Sequence, residues 1–82
     1  MDIIVIEKKE DLPAEEDLKR KVGGLLNKIL LPNGDVMVSC QENPKNIQSI
    51  NFKAIEIYKR MTGFDTHFYG HCFLIKKKIA II

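Results

Sequence analysis

The sequence predicts an α+β fold: a small sheet of three to five strands in the order β-α-β-β-α-β, with two helices packed on one face. Three features predict it. A short β-branched run opens the chain at Ile3–Ile6, Asn33-Gly34 interrupts a second apolar stretch, and two segments with helical spacing lie between the strands. The chain has 82 residues, enough for one hydrophobic core, so 1-82 is expected to be a single domain.

The first helix is predicted to begin near Pro13 and to end at Gly23-Gly24. Proline suits a first helical turn because the N–H that it lacks would have no partner there. Acidic residues of this turn precede basic residues by four positions, which stabilises an exposed helix face. These pairs are Glu15–Lys19, Glu16–Arg20 and Asp17–Lys21. The opposite, apolar stripe consists of Ala14, Leu18, Val22 and Leu25 or Leu26.

A β-hairpin is predicted over Lys28–Cys40. Asn33-Gly34 is the pair favoured where both residues of a two-residue turn need a positive φ. With such a turn, the facing pairs would be Leu31–Val36 and Ile29–Val38.

The second helix is predicted over Ile47–Thr62, with Gly63 as its stop. Its apolar stripe is Ile47, Ile50, Ala54, Ile57, Tyr58 and Met61. A last strand is predicted over His67–Ile75, with His67, Tyr69, His71, Phe73 and Ile75 on one face and Phe68, Gly70, Cys72 and Leu74 on the other. The end of the chain, Lys76–Ile82, either extends this strand or turns back beside it. Its apolar part, Ile79–Ile82, pairs either within the chain or with a second copy, so a sheet-mediated homodimer is one expectation.

The charge balance argues against a polyanionic partner, because 13 basic and 11 acidic residues leave a net charge of only +2. The start of the chain has no basic region followed by a cleavage site, and no apolar run is long enough to span a bilayer. The two cysteines, Cys40 and Cys72, could pair, but two thiols in a small chain fit a reducing compartment equally well. We therefore expect no membrane association and a location in the cytoplasm of a cell or of an infected cell.

Catalytic and metal sites are not predicted. Cys40, His67, His71 and Cys72 are the candidate zinc ligands, but His67 and His71 would lie about 13 Å apart on one strand. Free cysteines are most often small core residues. A Cys–His nucleophile pair stays open as an alternative, although no local motif of a cysteine enzyme surrounds either thiol. No cofactor is expected.

Several residues are candidates for contacting a ligand or partner. Gly23 and Gly24 could offer N–H groups to an anion, although a helix C-terminus has the wrong dipole for phosphate. The polar loop after the hairpin leads toward a helix, a place where ligand contacts are common. Lysines with strand aromatics could bind nucleic acid, or the lysines could simply block edge pairing. The candidates are Gly23, Gly24, Gln41, Glu42, Asn43, His67, Tyr69, His71, Lys76, Lys77 and Lys78, with Phe68 as a further base-stacking candidate.

Four segments together resemble a short domain family of unknown function that is common in bacteriophages and plasmids. They are Val22-Gly23-Gly24, Asp35–Asn43, Asn51-Phe52 and Gly70–Ile75. The family typically has a Val-Gly-Gly, a strand ending in Cys-Asn-Glu, a Leu-Asn-Arg-like segment and a closing Gly-x-Phe-x-Ile strand. This chain departs from it in having Gln41-Glu42 for Asn-Glu, Lys53 at the arginine position and Phe73 shifted by one place.

The resemblance implies an origin on a mobile element, and such small proteins commonly work by occupying a host surface or ligand. The leading hypothesis is a non-enzymatic accessory binding protein, either a counter-defence inhibitor of a host immune protein or a sponge for a nucleotide signal. The first needs an exposed apolar or charged patch, and the second needs a pocket with N–H groups and a basic residue. The alternatives are a nucleic-acid-binding module using Lys76–Lys78 and the last strand, and a thiol or metal enzyme.

Overall fold

The computed structural model describes residues 2–41 and 49–79, which form an α+β fold with a four-stranded mixed sheet. The elements are β1 (Ile3–Ile6), a 3-10 turn (Lys9–Asp11), α1 (Glu15–Val22), β2 (Leu26–Leu30), β3 (Val36–Cys40), α2 (Phe52–Thr62) and β4 (Cys72–Ile75). The order across the sheet is β1-β4-β3-β2, in which β1 and β4 are parallel and the other neighbours antiparallel. The predicted class and element order are confirmed.

The two helices lie on opposite faces of the sheet, whereas the sequence prediction placed both on one face. α1 buries Val22 against Val36 and Val38, and α2 buries Ala54 against Met37. Because successive strand residues point to opposite faces, β3 supplies both cores. The first core is Ile6, Leu18, Val22, Val36, Val38, Phe73 and Ile75, and the second is Leu31, Met37, Ala54, Phe68, Cys72 and Leu74. The prediction failed because strands covered on both faces have continuous apolar runs without alternation.

The hairpin between β2 and β3 has a three-residue turn instead of the predicted two-residue turn. The observed pairs are Leu30–Val36, Ile29–Met37 and Lys28–Val38, in place of Leu31–Val36 and Ile29–Val38. Leu31 accepts from the Gly34 N–H (2.9 Å) and donates to the Asp35 carbonyl (2.8 Å). Pro32 fixes φ near about −65°, which suits the second position of a type I turn, and Gly34 then has a φ of 95°. Leu31 consequently packs in the core under α2.

The ends of α1 differ partly from the prediction. The helix begins at Glu15 with Ala14 as its N-cap, so Pro13 precedes the first turn. Gly23 ends it, as predicted. Its exposed ion pairs are Asp17–Arg20 (3.0 Å) and Glu15–Lys28 (3.5 Å), instead of the expected pairs four residues apart.

α2 begins at Phe52, later than the predicted Ile47, which lies outside the described residues. Asn51 caps the helix through its side chain, and Ile50 before it forms an isolated bridge with Tyr69. Gly63 ends the helix, as predicted. Within residues 2–41 and 49–79, no helix is both long and apolar enough to cross a bilayer.

The last strand is shorter than the predicted His67–Ile75, because only Cys72–Ile75 pairs continuously with its neighbours. Residues 77–79 form a turn. Residues 80–82 lie outside the described part of the chain, so the pairing expected for Ile79–Ile82 stays a prediction.

Candidate functional site

One buried amide joins three elements at the end of the sheet where β4 begins. The side chain of Asn51 is fully buried, and its Oδ1 accepts from the Ala54 N–H (3.0 Å). Its Nδ2 donates to the carbonyls of Asp2 (3.0 Å) and Gly70 (2.8 Å). The backbone N–H of Asn51 donates to the Phe68 carbonyl (2.7 Å). Asn51 thus fixes the start of α2 to the residue before β1 and to the loop before β4.

The two cysteines lie at this same end of the sheet, but neither is in a disulfide. Burial raises the pKa of the Cys72 thiol to about 11, although a hydrogen bond with Asn51 opposes the shift, and the nearby Cys40 adds to it. Only about one in ten thousand such thiols is ionised at pH 7, and the thiolate is the form that reacts. Cys72 therefore behaves as a core residue, packed among the residues under α2.

The glycine pair after α1 is occupied by its own helix. The N–H groups of Gly23 and Gly24 both donate to the Lys19 carbonyl, at 2.9 and 3.0 Å. A Cβ on Gly24 would lie 3.2 Å from the Cys40 Sγ, so this residue also allows a close packing contact. These N–H groups are not directed at an external anion, and the pair works as a helix end.

The loop before β4 contains the candidate ring residues. His67 and Tyr69 stack at a centroid distance of 6.4 Å with 13° between their planes. Phe68 is buried and contacts the Tyr58 ring edge-on at 5.6 Å, so it presents no face to a base. His71 is half-buried, and its Nδ1 is enclosed without a hydrogen-bond partner among the described residues, as is the Oγ of Ser39.

The opposite end of β4 holds a buried carboxylate. Asp35 accepts from the Lys77 N–H (2.7 Å), the Lys76 ammonium (3.2 Å) and the Asn33 amide (3.0 Å). Burial acts to raise the pKa of Asp35, but these bonds outweigh it and hold the pKa below its ordinary value. Two of the candidate lysines are thus engaged with the hairpin turn.

The terminal lysines line a shallow depression of about 330 Å³. Its lining residues are Glu7, Asp35, Lys76, Lys77 and Lys78. The six residue steps from Gly70 to Lys76 span about 20 Å of extended chain, so these lysines and the ring residues of the preceding loop lie at opposite ends of β4. The structure does not bring the predicted aromatic and lysine contacts together on one surface.

A second concave region lies between α1 and the sheet. This apolar groove of about 260 Å³ has the Glu15–Lys28 ion pair in its lining. Its apolar lining residues are Leu12, Pro13, Leu18, Val36, Val38, Ile75 and Ile79. Polar groups that would orient a reacting substrate are sparse in it.

Two large exposed aromatic residues lie at the two ends of α2. Phe52, the first residue of the helix, is 74% exposed, and Phe64, just after its end, is 71% exposed. Between them lie Glu56, Lys59 and Arg60, all exposed. Arg60 pairs with Glu56 at 2.9 Å, and helical spacing puts positions 52, 56 and 59 on one stripe. We call these five residues the α2 outer face.

The remaining sequence candidates give no further cluster. Gln41 is exposed and its N–H donates to the Leu25 carbonyl (2.8 Å), whereas Glu42 and Asn43 lie outside the described residues. Among residues 2–41 and 49–79, no three histidine, cysteine or acidic side chains are grouped so that they could hold a metal ion. The structure thus places the residues predicted to contact a ligand or partner in two groups, one at each end of the sheet.

Comparisons with protein-family models, with curated proteins and with solved structures find no significant match to the chain. The resemblance to a phage and plasmid family therefore stays a prediction. The quoted motifs do meet in space, since Gly24 contacts Cys40, and Asn51 bonds to Gly70 and influences Cys72. The motifs are held together by packing and by the hydrogen bond from the Asn51 side chain to a backbone carbonyl.

Sequence reasoning missed the roles of Asn51, Asp35 and the two exposed phenylalanines. An asparagine just before an apolar helical stripe is a signature of a helix N-cap and would have located the start of α2. The bonds of Asp35 to Lys76 and Lys77 have no local signature. Phe52 and Phe64 lie outside the apolar stripe of α2, so their exposure could have been inferred from the sequence.

Proposed function

We propose that this chain is a non-enzymatic accessory binding protein of a phage or another mobile element, and that it acts in the host cytoplasm. Its partner is a host protein, and its effect is that of a counter-defence inhibitor that covers a working surface of a host immune protein. The observation that carries this proposal is the α2 outer face, where Phe52 and Phe64 are about three-quarters exposed.

The composition of this face fits a protein interface. Aromatic residues and arginine are enriched where partners bury surface, and a few such residues supply most of the binding free energy. Single exposed apolar residues are ordinary on protein surfaces. Here one phenylalanine lies at each end of a helix that also exposes an arginine, and neither phenylalanine belongs to the cores described above.

The thiol-enzyme alternative has little support from the site. The pKa of Cys72 is raised to about 11, opposite to the shift that activates a nucleophilic thiol. Its Sγ lies 3.8 Å from the Gly70 carbonyl, which is a hydrogen-bond acceptor and not a base. Replacing Cys40 and Cys72 with serine would leave the binding activity of a folded protein unchanged under our proposal.

A nucleotide ligand is the second candidate, and the lysine-lined depression favours it. Lys77 and Lys78 are exposed there, and lysine ammonium groups bind phosphates. The nucleic-acid alternative is less favoured, because Phe68 is buried and cannot stack on a base.

A tagged pull-down from bacterial lysate with three forms of the full chain tests the proposal. We expect the wild type to capture a protein at a stoichiometric level, and the Phe52→Ala, Phe64→Ala double variant to lose at least about tenfold of it. The matched control is Leu25→Ala, Leu30→Ala, which removes two exposed leucines from the region of β2 and leaves the α2 outer face intact.

Capture that survives the loss of both phenylalanines would refute the role of the α2 outer face. Equal loss in the leucine control would indicate a general surface effect and would also count against it. If small molecules co-purify in place of a protein, the host-protein partner would be rejected in favour of a nucleotide ligand. Lys77→Ala and Lys78→Ala are then the variants expected to release it.

A further inference from the structure

Strand β1 leaves an apolar sheet edge open on the described part of the molecule. The carbonyls of Asp2 and Ile6 accept from the N–H groups of Cys72 in β4 and of Lys76 just after it, both at 3.1 Å. Residues of a parallel pair alternate in direction, so the N–H and C=O groups of Ile3 and Val5 point away from β4. Among the described residues no strand lies on that side.

The two edges of the sheet differ in how well they resist pairing. β2, the other edge, has Lys28 at its centre, and a charged residue there discourages a second strand from pairing. The four residues of β1 are all apolar, and Val5 is 48% exposed because α2 does not cover it. An apolar edge with unsatisfied backbone groups favours the addition of a strand.

We propose that β1 pairs with β1 of a second copy of this chain, antiparallel and about a two-fold axis through Val5. Only odd-numbered residues present both backbone groups outward, so a hydrogen-bonded ladder must pair odd with odd. Centring on Val5 sets Ile3 against Glu7 and Ile4 against Ile6 of the second copy. Beyond the strand, the backbone of Lys8 is still extended, with φ −129° and ψ 143°.

Charge selects this register over the neighbouring one. With Val5 on the axis, Lys8 of each copy lies opposite Asp2 of the other and adds a second cation to the Asp2–Lys53 pair (3.0 Å), and the symmetry forms this contact twice. Moving the axis to Ile4 would set Asp2 against Ile6 and leave Lys8 without an acidic partner. An eight-stranded sheet would result, in which the exposed Val5 side chains cover each other. This inference does not rest on the proposed host partner.

Analytical ultracentrifugation of the purified full chain over a wide concentration range is the first test. We expect a monomer–dimer equilibrium for the wild type and at least about a tenfold weaker dimer for Val5→Lys, which puts two ammonium groups on the axis. Leu30→Lys is the matched control, since it adds the same charge at an exposed position of the other edge and should leave the dimer unchanged.

Val5→Cys gives a second, positive readout. Residues that face each other in a hydrogen-bonded antiparallel pair have Cα atoms about 5.5 Å apart, within the range of a disulfide. Mild oxidation should therefore join the two substituted positions, with mass spectrometry identifying the linked peptide, whereas Leu30→Cys should not cross-link. A wild type that stays monomeric at millimolar concentration, or a dimer that Val5→Lys leaves intact, would overturn the inference. Capture of an extended peptide from another protein by a monomeric chain would also overturn it.

Discussion

The two ends of strand β4 are each held by one buried polar side chain, but the two side chains bind differently. At the start, Asn51 accepts one backbone N–H and donates to two carbonyls. At the finish, Asp35 only accepts, from Lys77, Lys76 and Asn33. A neutral amide joins donors and acceptors at any ordinary pH, whereas a carboxylate collects donors only while it is ionised. The first end is therefore a fixed junction and the second depends on acidity.

The largest loss of stability is expected from removing the Asn51 side chain. Asn51→Ala leaves the Ala54 N–H and the Gly70 carbonyl without their amide partner, whereas the Asp2 carbonyl loses one bond and keeps the Cys72 N–H. We expect the free energy of unfolding to fall by about 3–5 kcal/mol, since each buried polar group left unsatisfied costs about 1–3 kcal/mol. Urea unfolding followed by circular dichroism measures it.

Asn27→Ala is the matched control for this change, because Asn27 is a half-buried asparagine of β2. A surface-like substitution of this kind should change the free energy of unfolding by less than about 0.5 kcal/mol. If the two alanine variants were equally stable, Asn51 would not be a junction and the difference between the two ends would disappear.

Removing the charge of Asp35 should lower the free energy of unfolding at neutral pH by less than removing the Asn51 side chain does. Asp35→Asn keeps an oxygen for the Lys77 N–H but removes the charge that attracts the Lys76 ammonium. We expect a loss of about 1–3 kcal/mol in the free energy of unfolding at pH 7. A loss as large as that of Asn51→Ala would mean that charge, and not bond number, dominates these junctions.

Lowering the pH should weaken the Asp35 end of β4 and leave the Asn51 end unchanged. The pKa of Asp35 in the folded state lies below its ordinary value of 3.8, so the folded state binds fewer protons than the unfolded one. The stability that this carboxylate contributes is complete above about pH 4 and is lost as the pH falls through the folded pKa. The stability difference between wild type and Asp35→Asn should therefore shrink between pH 7 and pH 3.

The amide variant provides the control for this pH series. Asn51→Ala should remain less stable than the wild type by a constant amount, because no proton is bound or released at the amide. Urea unfolding of the three proteins at each pH compares them. A difference for Asn51→Ala that changed with pH as much as that for Asp35→Asn would contradict the comparison.

The smallest expected difference in stability tests how tightly the hairpin turn packs against the turn after β4. A Cβ on Gly34 would approach the Lys77 Cδ to 2.8 Å, and φ there is +95°, whereas a Cβ on Gly63 (φ +79°) meets nothing within 4 Å. Both alanine substitutions carry a backbone cost of about 1–2 kcal/mol. Gly34→Ala should lose up to about 1 kcal/mol more in thermal or urea unfolding, and equal losses would mean that the Lys77 side chain simply moves aside.

The elements that the sequence predicted correctly are those with local causes. Gly63 ends α2 and Gly23 ends α1 because a helix stop depends on one residue and its neighbours. The hairpin was predicted in the right place, but the preference of Pro32 for a type I turn was not weighed, so its register was wrong by one residue. The opposite faces of the helices depend on packing across the whole sheet, which local periodicity does not determine.

The candidate site was less predictable, because its bonds join residues far apart in sequence. Asn51 bonds to a carbonyl 49 residues away, and Asp35 to an N–H 42 residues away. No pattern of neighbouring residues encodes either contact. The prediction instead collected polar loop residues, and the fold distributes these over both ends of β4. The exposure of Phe52 could have been inferred from its place off the apolar stripe of α2.

The pairing of β1 with β4 has a consequence for how the chain folds as it is synthesised. Ile3 lies opposite Cys72, so β1 has no strand to join until nearly the whole described chain has been made. The β2–β3 hairpin and α1 can form earlier from near neighbours, whereas closing so large a loop is slow. The extended apolar segment of β1 thus stays without its partner strand until residues 72–75 have been made. A chaperone that binds such segments would meet Ile3–Ile6 before the native partner strand does.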